Sequence, residues 1–297
     1  MFGAIEAGGT KFVVAVGTSP DAVVATSSFP TSDPTTTIRS VMDFFQANAP
    51  EGLSGIGIAA FGPIDIDPLS GTYGVIRRTP KPGWSGFDYR KAVSMFTDAP
   101  VNIDTDVNAA ARGEMISGAA IGLKTFLYLT VGTGIGGGMM VDGRPLTGSV
   151  DTEMGHVAIP RAPSDNFAGI CPFHGDCLEG MASGPTLEKR WGRTGSELNE
   201  LRDQATEVEA WYLGTALASF TLTLAPQRIV LGGGVFKIQG LIEKVRDRVH
   251  NYLNGYVHGL ENRKNLDKFV VPPGLGDRSG ITGALALAMS AEVPHSN

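Results

Sequence analysis

Cys171 and Cys177 are the only cysteines of the chain, and they stand in the run C-P-F-H-G-D-C-L-E with His174 between them and His156 upstream. Two thiols and two imidazoles make a four-ligand set of the kind Zn²⁺ takes in a tetrahedron, and a set with no open position is structural, not catalytic. The competing reading is a pair of buried thiols or a redox couple. Two histidines at ligand-like positions favour the metal.

Three glycine clusters carry a second kind of chemistry: Gly8-Gly9-Thr10-Lys11, Gly132-Thr133-Gly134-Ile135-Gly136 and Gly232-Gly233-Gly234. Glycine lets the backbone approach an anion, whose oxygens then accept from the exposed N–H groups, and the hydroxyls of Thr10 and Thr133 add donors. No G-x-x-x-x-G-K-[ST] loop is present, and the first cluster sits in a hairpin instead of before a helix, which disfavours the dinucleotide fingerprint. Any one cluster alone reads as an ordinary tight turn. All three fall at strand ends, in the same chain as the metal set and Asp106. Asp106 follows an apolar strand and precedes a helix, so it is either a helix cap or a carboxylate at a strand's carboxyl end, where open α/β sheets bind ligands.

The elements that must position these groups are legible as apolar periodicity. Residues 2–7 and 12–17 read as a hairpin turning at Gly8–Lys11, and Val23–Phe29 as a third strand. Pro34 starts a helix with Ile38, Val41, Met42 and Phe45 on one face. Gly55–Phe61 and Val101–Asp106 read as strands, Trp84–Phe96 and Asn108–Ala120 as helices. The pattern then recurs: strand Thr125–Val131, a T-G-I-G-G-G turn and a returning strand Met139–Val141. Glu207–Leu224 is apolar nearly all round and reads as a buried helix. Arg228–Leu231 is a strand before G-G-G, Leu241–Leu253 a helix, Phe269–Pro272 a last strand and Gly280–Ser290 an apolar helix. The strand–glycine turn–strand recurrence implies two related α/β domains, 1–117 and 118–297, with the boundary near Ser117–Leu123. His250, His258 and His295 have no ligand-spaced neighbours and read as surface residues.

The chain has 297 residues, 42% hydrophobic and 18% charged, with 40 glycines and a net charge of −6. That size fits two domains or one large α/β domain. An acidic chain without a Lys/Arg run excludes nucleic acid and anionic membrane surfaces as expected partners. No run approaches the ~20 apolar residues of a membrane span. The absence of a basic region followed by an apolar run at the start, and cysteines spaced for metal, lead to an expected cytoplasmic location.

With E-A-G-G-T-K, T-D-V-N-A-A-A, V-G-T-G-I-G-G-G, E-M-G-H, the Cys/His cluster ending C-L-E, and L-G-G-G-V in that order, the chain resembles the ROK family of sugar kinases over residues 3 to about 290. E-A-G-G-T-K, T-P-K-P-G-W and C-P-x-H-G-D-C are similar to its bacterial zinc-containing fructokinase branch. The resemblance implies a two-domain actin-like/hexokinase-like (ribonuclease H-like) ATPase fold with an inter-domain cleft, a C-terminal helix from about 284 that packs back on the first domain, and a homodimer. It implies that Gly8, Gly9, Thr10, Lys11, Gly132, Thr133, Gly134 and Gly136 hold ATP phosphates and that Gly232, Gly233 and Gly234 pack by the adenosine. Asp106 matches the catalytic base. Asn108, Glu153, His156 and Glu179 match sugar contacts, and His156, Cys171, His174 and Cys177 the structural zinc ligands. Mg²⁺ accompanies ATP.

Three departures from the family pattern stand out. Glu6 replaces the usual Asp before G-G-T-K, so the carboxylate is one methylene longer. Lys81 stands where glucokinase-like relatives often carry Asn; it is either a change in the hydroxyl pattern read or a solvated loop charge. His174 replaces a third cysteine in the metal set. The implied activity is ATP-dependent phosphorylation of a hexose at the 6-hydroxyl, with fructose the substrate of the branch. Glucose, mannose and N-acylated amino sugars are the alternatives within the family. A non-catalytic sugar-sensing regulator is the alternative outside it. Repressors of this kind carry a DNA-binding domain before the first glycine motif, where this sequence has only a few residues.

Overall fold

The computed structural model of the protein describes residues 1–148, 151–163 and 165–290. The chain forms two compact units, Met1–Ile121 joined by the chain from Gly274 onward, and Gly122–Pro273.

In the first unit β1 (Phe2–Ala7), β2 (Lys11–Ser19), β3 (Ala22–Pro30), β4 (Ile56–Ala60) and β5 (Val101–Thr105) make a sheet of order β3-β2-β1-β4-β5. β1, β4 and β5 run parallel, with Ala7 beside Ala60 and Ala60 beside Thr105. Their carboxyl ends therefore share one edge, which brings Glu6, the Gly8–Thr10 turn and Asp106 to the same side. Helix α1 (Pro34–Asn48) starts where Asp33 accepts from the N–H of Thr36 and proline occupies the first turn, and it buries Ile38, Val41, Met42 and Phe45. The expected helix Trp84–Phe96 is only α2 (Tyr89–Ser94). Gly83 and Gly86 take φ of 81° and 78°, which ends any helix there. Asp88 then caps α2 through the Lys91 N–H at 2.9 Å. α3 (Asp106–Ser117) follows β5 directly, capped by the Thr105 hydroxyl.

In the second unit β6 (Phe126–Val131), β7 (Ile135–Val141) and β8 (Arg144–Pro145) run antiparallel. β7 begins earlier than the glycine-rich sequence suggests. Val131 pairs with Ile135 and Thr130 with Gly136, so only Gly132–Gly134 forms the turn and the later glycines belong to the strand. The short helices α4 (Leu178–Ala182) and α5 (Gly184–Trp191) precede the long α6 (Arg202–Leu224), which is buried on most sides. β9 (Ile229–Gly232), α7 (Leu241–Leu253), α8 (Leu266–Phe269) and β10 (Val270–Val271) complete a sheet of order β10-β9-β6-β7-β8.

The chain then re-enters the first unit as α9 (Ser279–Ala288), which packs on α3, β1 and β4. The first crossing falls after Ile121, within the stretch Ser117–Leu123, and the chain returns at Gly274, ahead of the residue 284 named from the resemblance. The reason is Glu114, fully buried in α3. Its carboxylate accepts from the N–H groups of Ala119 (2.6 Å), Gly274 (2.8 Å) and Leu275 (3.1 Å) and from the Ser279 hydroxyl (2.6 Å). Four donors satisfy a buried carboxylate and hold both chain segments to α3. Among the described residues no helix is long and apolar enough to cross a membrane. His250 and His258 both bond to Glu261, a partner the sequence did not suggest, and His295 lies outside the described residues.

Candidate active site

In the first unit Asp106 opens α3, and its Oδ1 accepts from the Val107 N–H at 2.9 Å. Two residues earlier Asp104 is buried; its Oδ1 accepts from Thr105 N–H and from the Asn108 side-chain amide, both at 2.8 Å, and Arg112 lies 3.8 Å from Oδ2. Asn108, expected as a sugar contact, is buried and its amide N–H is committed to Asp104. Lys81 sits half-exposed in the turn before the buried Trp84 and makes no ion pair among the described residues.

Glu6 ends β1 among charges. Burial pushes its carboxyl up to about 7, the Asp106 and Asp277 charges add to that, and Lys11 opposes it. The Glu6 carboxylate also occupies the space where a β-carbon on Gly280 would stand, so the first turn of α9 is shaped around it.

The glycines of the three clusters divide by what surrounds them. A β-carbon on Gly8 would stand 2.8 Å from the Lys11 carbonyl oxygen, and one on Gly134 would stand 2.7 Å from Glu179 Oε2. One on Gly232 would overlap the Tyr128 hydroxyl, and Gly233 has φ of 94°. These four are glycine because the fold requires it. Gly9, Gly132 and Gly234 meet nothing within 4 Å and none has a positive φ. The packing of the chain does not itself require the missing side chain at these three positions. Thr133 is exposed at the tip of the same turn, and Gly136 is paired in β7.

In the second unit the metal-ligand set is assembled. One ligand atom from each of His156, Cys171, His174 and Cys177 lies within 4.8 Å of the others. His156 Nδ1 is 3.5 Å from Cys177 Sγ and 3.7 Å from Cys171 Sγ, and His174 Nδ1 is 3.7 Å from Cys171 Sγ. Zinc bonds of ~2.0–2.3 Å in a tetrahedron set ligand atoms about 3.5–3.8 Å apart, so the spacing fits. Paired backbone bonds between Cys171 and Gly175 close the loop, with Gly175 at φ 67°.

His156 was expected both as a ligand and as a sugar contact, and its ring faces two ways. Nδ1 points to the thiols, and Nε2 lies 4.0 Å from Glu179 Oε1. Glu179 Oε2 in turn accepts from the Ile135 N–H at 2.9 Å, directly behind the Gly132–Gly134 turn. Glu153 is exposed and precedes the short 3₁₀ turn Met154–His156; burial of part of its surface and the Glu179 charge raise its carboxyl, with His156 opposing. In the first unit, sequence reasoning missed Glu114, Asp277, Gly280 and Tyr89, whose surroundings are set by the fold.

Each unit thus carries a glycine turn at a strand end, the first beside a carboxylate that opens a helix and the second beside a closed loop of four metal-type ligands. The match to the ROK family extends over residues 2–291, and the chain belongs to that family. It is 41% identical over 300 residues to a fructokinase of Zymomonas mobilis subsp. mobilis, covering 98% of this chain and 97% of that protein. It is 40% identical to a fructokinase of Pediococcus pentosaceus, covering 98% of each. The crystal structure of a ROK hexokinase from Thermus thermophilus superposes with a TM-score of 0.79 at 28% identity and 97% coverage of both chains. The fold is the actin-like, ribonuclease H-like kinase fold, and the protein is an ATP-utilising sugar kinase.

The environment of Glu6 has a measurable consequence. An acid whose folded pKa stands above its unfolded value opposes folding once ionised, so the cost is absent below about 4.5 and complete above about 7. Glu6→Gln removes it. The melting temperature of Glu6→Gln relative to wild type should rise between pH 5 and pH 8, in protein free of nucleotide and divalent cation. A difference that does not change with pH would contradict the buried, like-charged setting.

Proposed function

We propose that the protein transfers the γ-phosphate of ATP to the 6-hydroxyl of fructose, with Asp106 as general base. What carries the choice of sugar is the identity of 40% or more to fructokinases over nearly the full length. Asp106 accepts the proton of the sugar hydroxyl as that oxygen attacks the γ-phosphorus and the bond to the bridging oxygen breaks, releasing ADP. The base contributes orientation as much as proton affinity, because phosphoryl transfer is mainly positioning and charge neutralisation.

The turn Gly8–Lys11 of the first unit and residues 132–136 of the second are assigned to the phosphates, with open backbone at Gly9 and Gly132 as the donors and Lys11 as a cation. Gly232–Gly234 are assigned to the adenosine. Mg²⁺ enters with the nucleotide as part of the substrate. Glu153, Glu179, the Nε2 side of His156, Asn108 and Lys81 are the residues assigned to the sugar. One amide N–H of Asn108 donates to Asp104, and its other amide atoms are the ones assigned to the sugar.

His156, Cys171, His174 and Cys177 hold a structural zinc. Its contribution is to lock the loop and, through His156, the carboxylate of Glu179. The purified protein should contain about one zinc per chain by elemental analysis, and chelation should lower its melting temperature because metal binding is folding free energy. Metal-free protein with a Cys171–Cys177 disulfide is the contrary result.

The reaction itself is tested in two steps. In a coupled ADP-release assay fructose should give the highest kcat/KM among fructose, mannose, glucose and N-acetylated amino sugars. A site built for one hydroxyl pattern leaves polar groups unpaired with another. A tenfold advantage for glucose or an amino sugar would overturn the assignment of fructose and leave the kinase. Asp106→Asn keeps size and loses the proton acceptor. It should cut turnover by about 10²–10⁴-fold with sugar binding largely kept; near wild-type turnover would move the base elsewhere.

A further inference from the structure

Asp104 stands on β5, and its side chain is buried against the first turn of α3. A buried carboxyl is costly unless donors meet its oxygens. Oδ1 accepts from the Thr105 N–H and from the Asn108 side-chain amide, both at 2.8 Å, while Arg112 lies 3.8 Å from Oδ2. Burial raises the carboxyl above the usual range, and the Asn108 bond, the Arg112 charge and the Thr105 N–H oppose that rise. With a proton on Oδ2 or without one, Oδ1 remains an acceptor, because a backbone N–H already donates to it.

That fixes the neighbouring amide. An asparagine side chain accepts at one end and donates at the other, and a half-turn about its last bond exchanges the two. Only the NH₂ end can meet an oxygen already held as an acceptor. Asn108 Nδ2 therefore faces Asp104, and Asn108 Oδ1 faces the other way. The backbone of Asn108 is held in the same corner, since its N–H donates at 3.2 Å to the Thr105 hydroxyl that caps α3. Main chain and side chain of Asn108 are thus both set by the two residues that end β5.

We propose that Asp104 is a positioning residue for sugar recognition: it locks the Asn108 amide with Oδ1 presented to the sugar, where that oxygen accepts from a sugar hydroxyl. The inference rests on Asn108 being a sugar contact, and it adds the sense of that contact, in which position 108 reads a hydroxyl as a donor. Without the lock the amide is free to turn its NH₂ end toward the sugar and offer the wrong group.

The test is a set of variants assayed with MgATP and the hexose of highest kcat/KM. Asp104→Ala removes the acceptor and should raise the sugar KM by roughly fivefold to hundredfold, the effect of a misdirected polar group in a buried site. The KM for ATP should stay at the wild-type value and kcat should change less than the sugar KM, as expected when ground-state sugar binding is what is lost. Asp104→Asn keeps an oxygen for the Thr105 N–H, and hence for the Asn108 amide, so its sugar KM should stay near wild type although the charge is gone. In an Asn108→Ala background Asp104→Ala should add nothing to the sugar KM, while it lowers the melting temperature in either background. A wild-type sugar KM in Asp104→Ala overturns the inference. So does a full additional loss in the Asn108→Ala background, or an Asp104→Asn variant impaired as far as Asp104→Ala, which would make charge and not orientation the contribution. Asp104→Asn preserves the shape of the site, so a large rise in its sugar KM overturns the inference even where Asp104→Ala does not fold. If Asn108→Ala leaves the sugar KM unchanged, the sugar contact itself fails and the inference with it. If Asn108→Ala raises the sugar KM and Asp104→Ala does not, only the positioning role fails.

Discussion

The carboxylate of Glu179 is the point on which the second unit's chemistry depends. One oxygen receives the Ile135 N–H behind the Gly132–Gly134 turn, and the other faces His156 Nε2. The opposite nitrogen of that imidazole lies among the thiols of Cys171 and Cys177. Three neighbouring groups therefore lead from the metal-ligand set to a glycine turn more than twenty residues away in sequence. A histidine whose second nitrogen meets a carboxylate is a recurring device for fixing ring orientation at a metal. Here the carboxylate that lies nearest His156 Nε2 also receives the Ile135 N–H and so shapes the turn. Gly134 follows from this arrangement, since a β-carbon there would press on the Glu179 oxygen.

The first unit solves a different problem, which is to bring a late helix against an early strand. α9 lies on β4 and α3 at a separation that only glycine permits. A β-carbon on Gly57 would overlap the Ala284 carbonyl, one on Gly113 the Ser279 carbonyl and one on Gly283 the Ala109 carbonyl. Glu114 then ties the start of α9 to α3 through Ser279. The result is that Gly280 faces Glu6 and Asp277 faces Glu6 as well. The acidity of that corner is thus a product of close helix packing, not of neighbours in sequence.

This difference explains what could be read from the chain and what could not. Cys171, His174 and Cys177 are local, and chelate spacing is a property of a short loop, so the set was visible at once. β1, β2, α1 and α7 carry strong periodic patterns and appear where the pattern places them. Asp106 was visible because a strand, a carboxylate and a helix follow one another. Trp84–Phe96 misled because its apolar residues mimic a helix, while Gly83 and Gly86 turn the chain and the aromatic side chains form a cluster instead. The returning strand β7 was read late because glycines at 136–138 look like turn residues, although pairing with β6 decides their conformation. Glu114 had no signal, because its partners Gly274, Leu275 and Ser279 are brought near only by the tertiary fold.

The glycine clusters show how a motif can be separated into its structural and its chemical parts. As sequence, G-G-T-K, G-T-G and G-G-G are uniform. In three dimensions Gly8, Gly134, Gly232 and Gly233 are demanded by a neighbouring carbonyl, carboxylate, hydroxyl or backbone angle, and substitution there is a packing defect. Gly9, Gly132 and Gly234 are demanded by nothing in the protein itself. An alanine at those three positions would fit the folded chain and would gain from a less flexible unfolded state. The positions with the least structural reason to be glycine fall one in each cluster, and the backbone left open there is what the proposed contacts to phosphate and adenosine require.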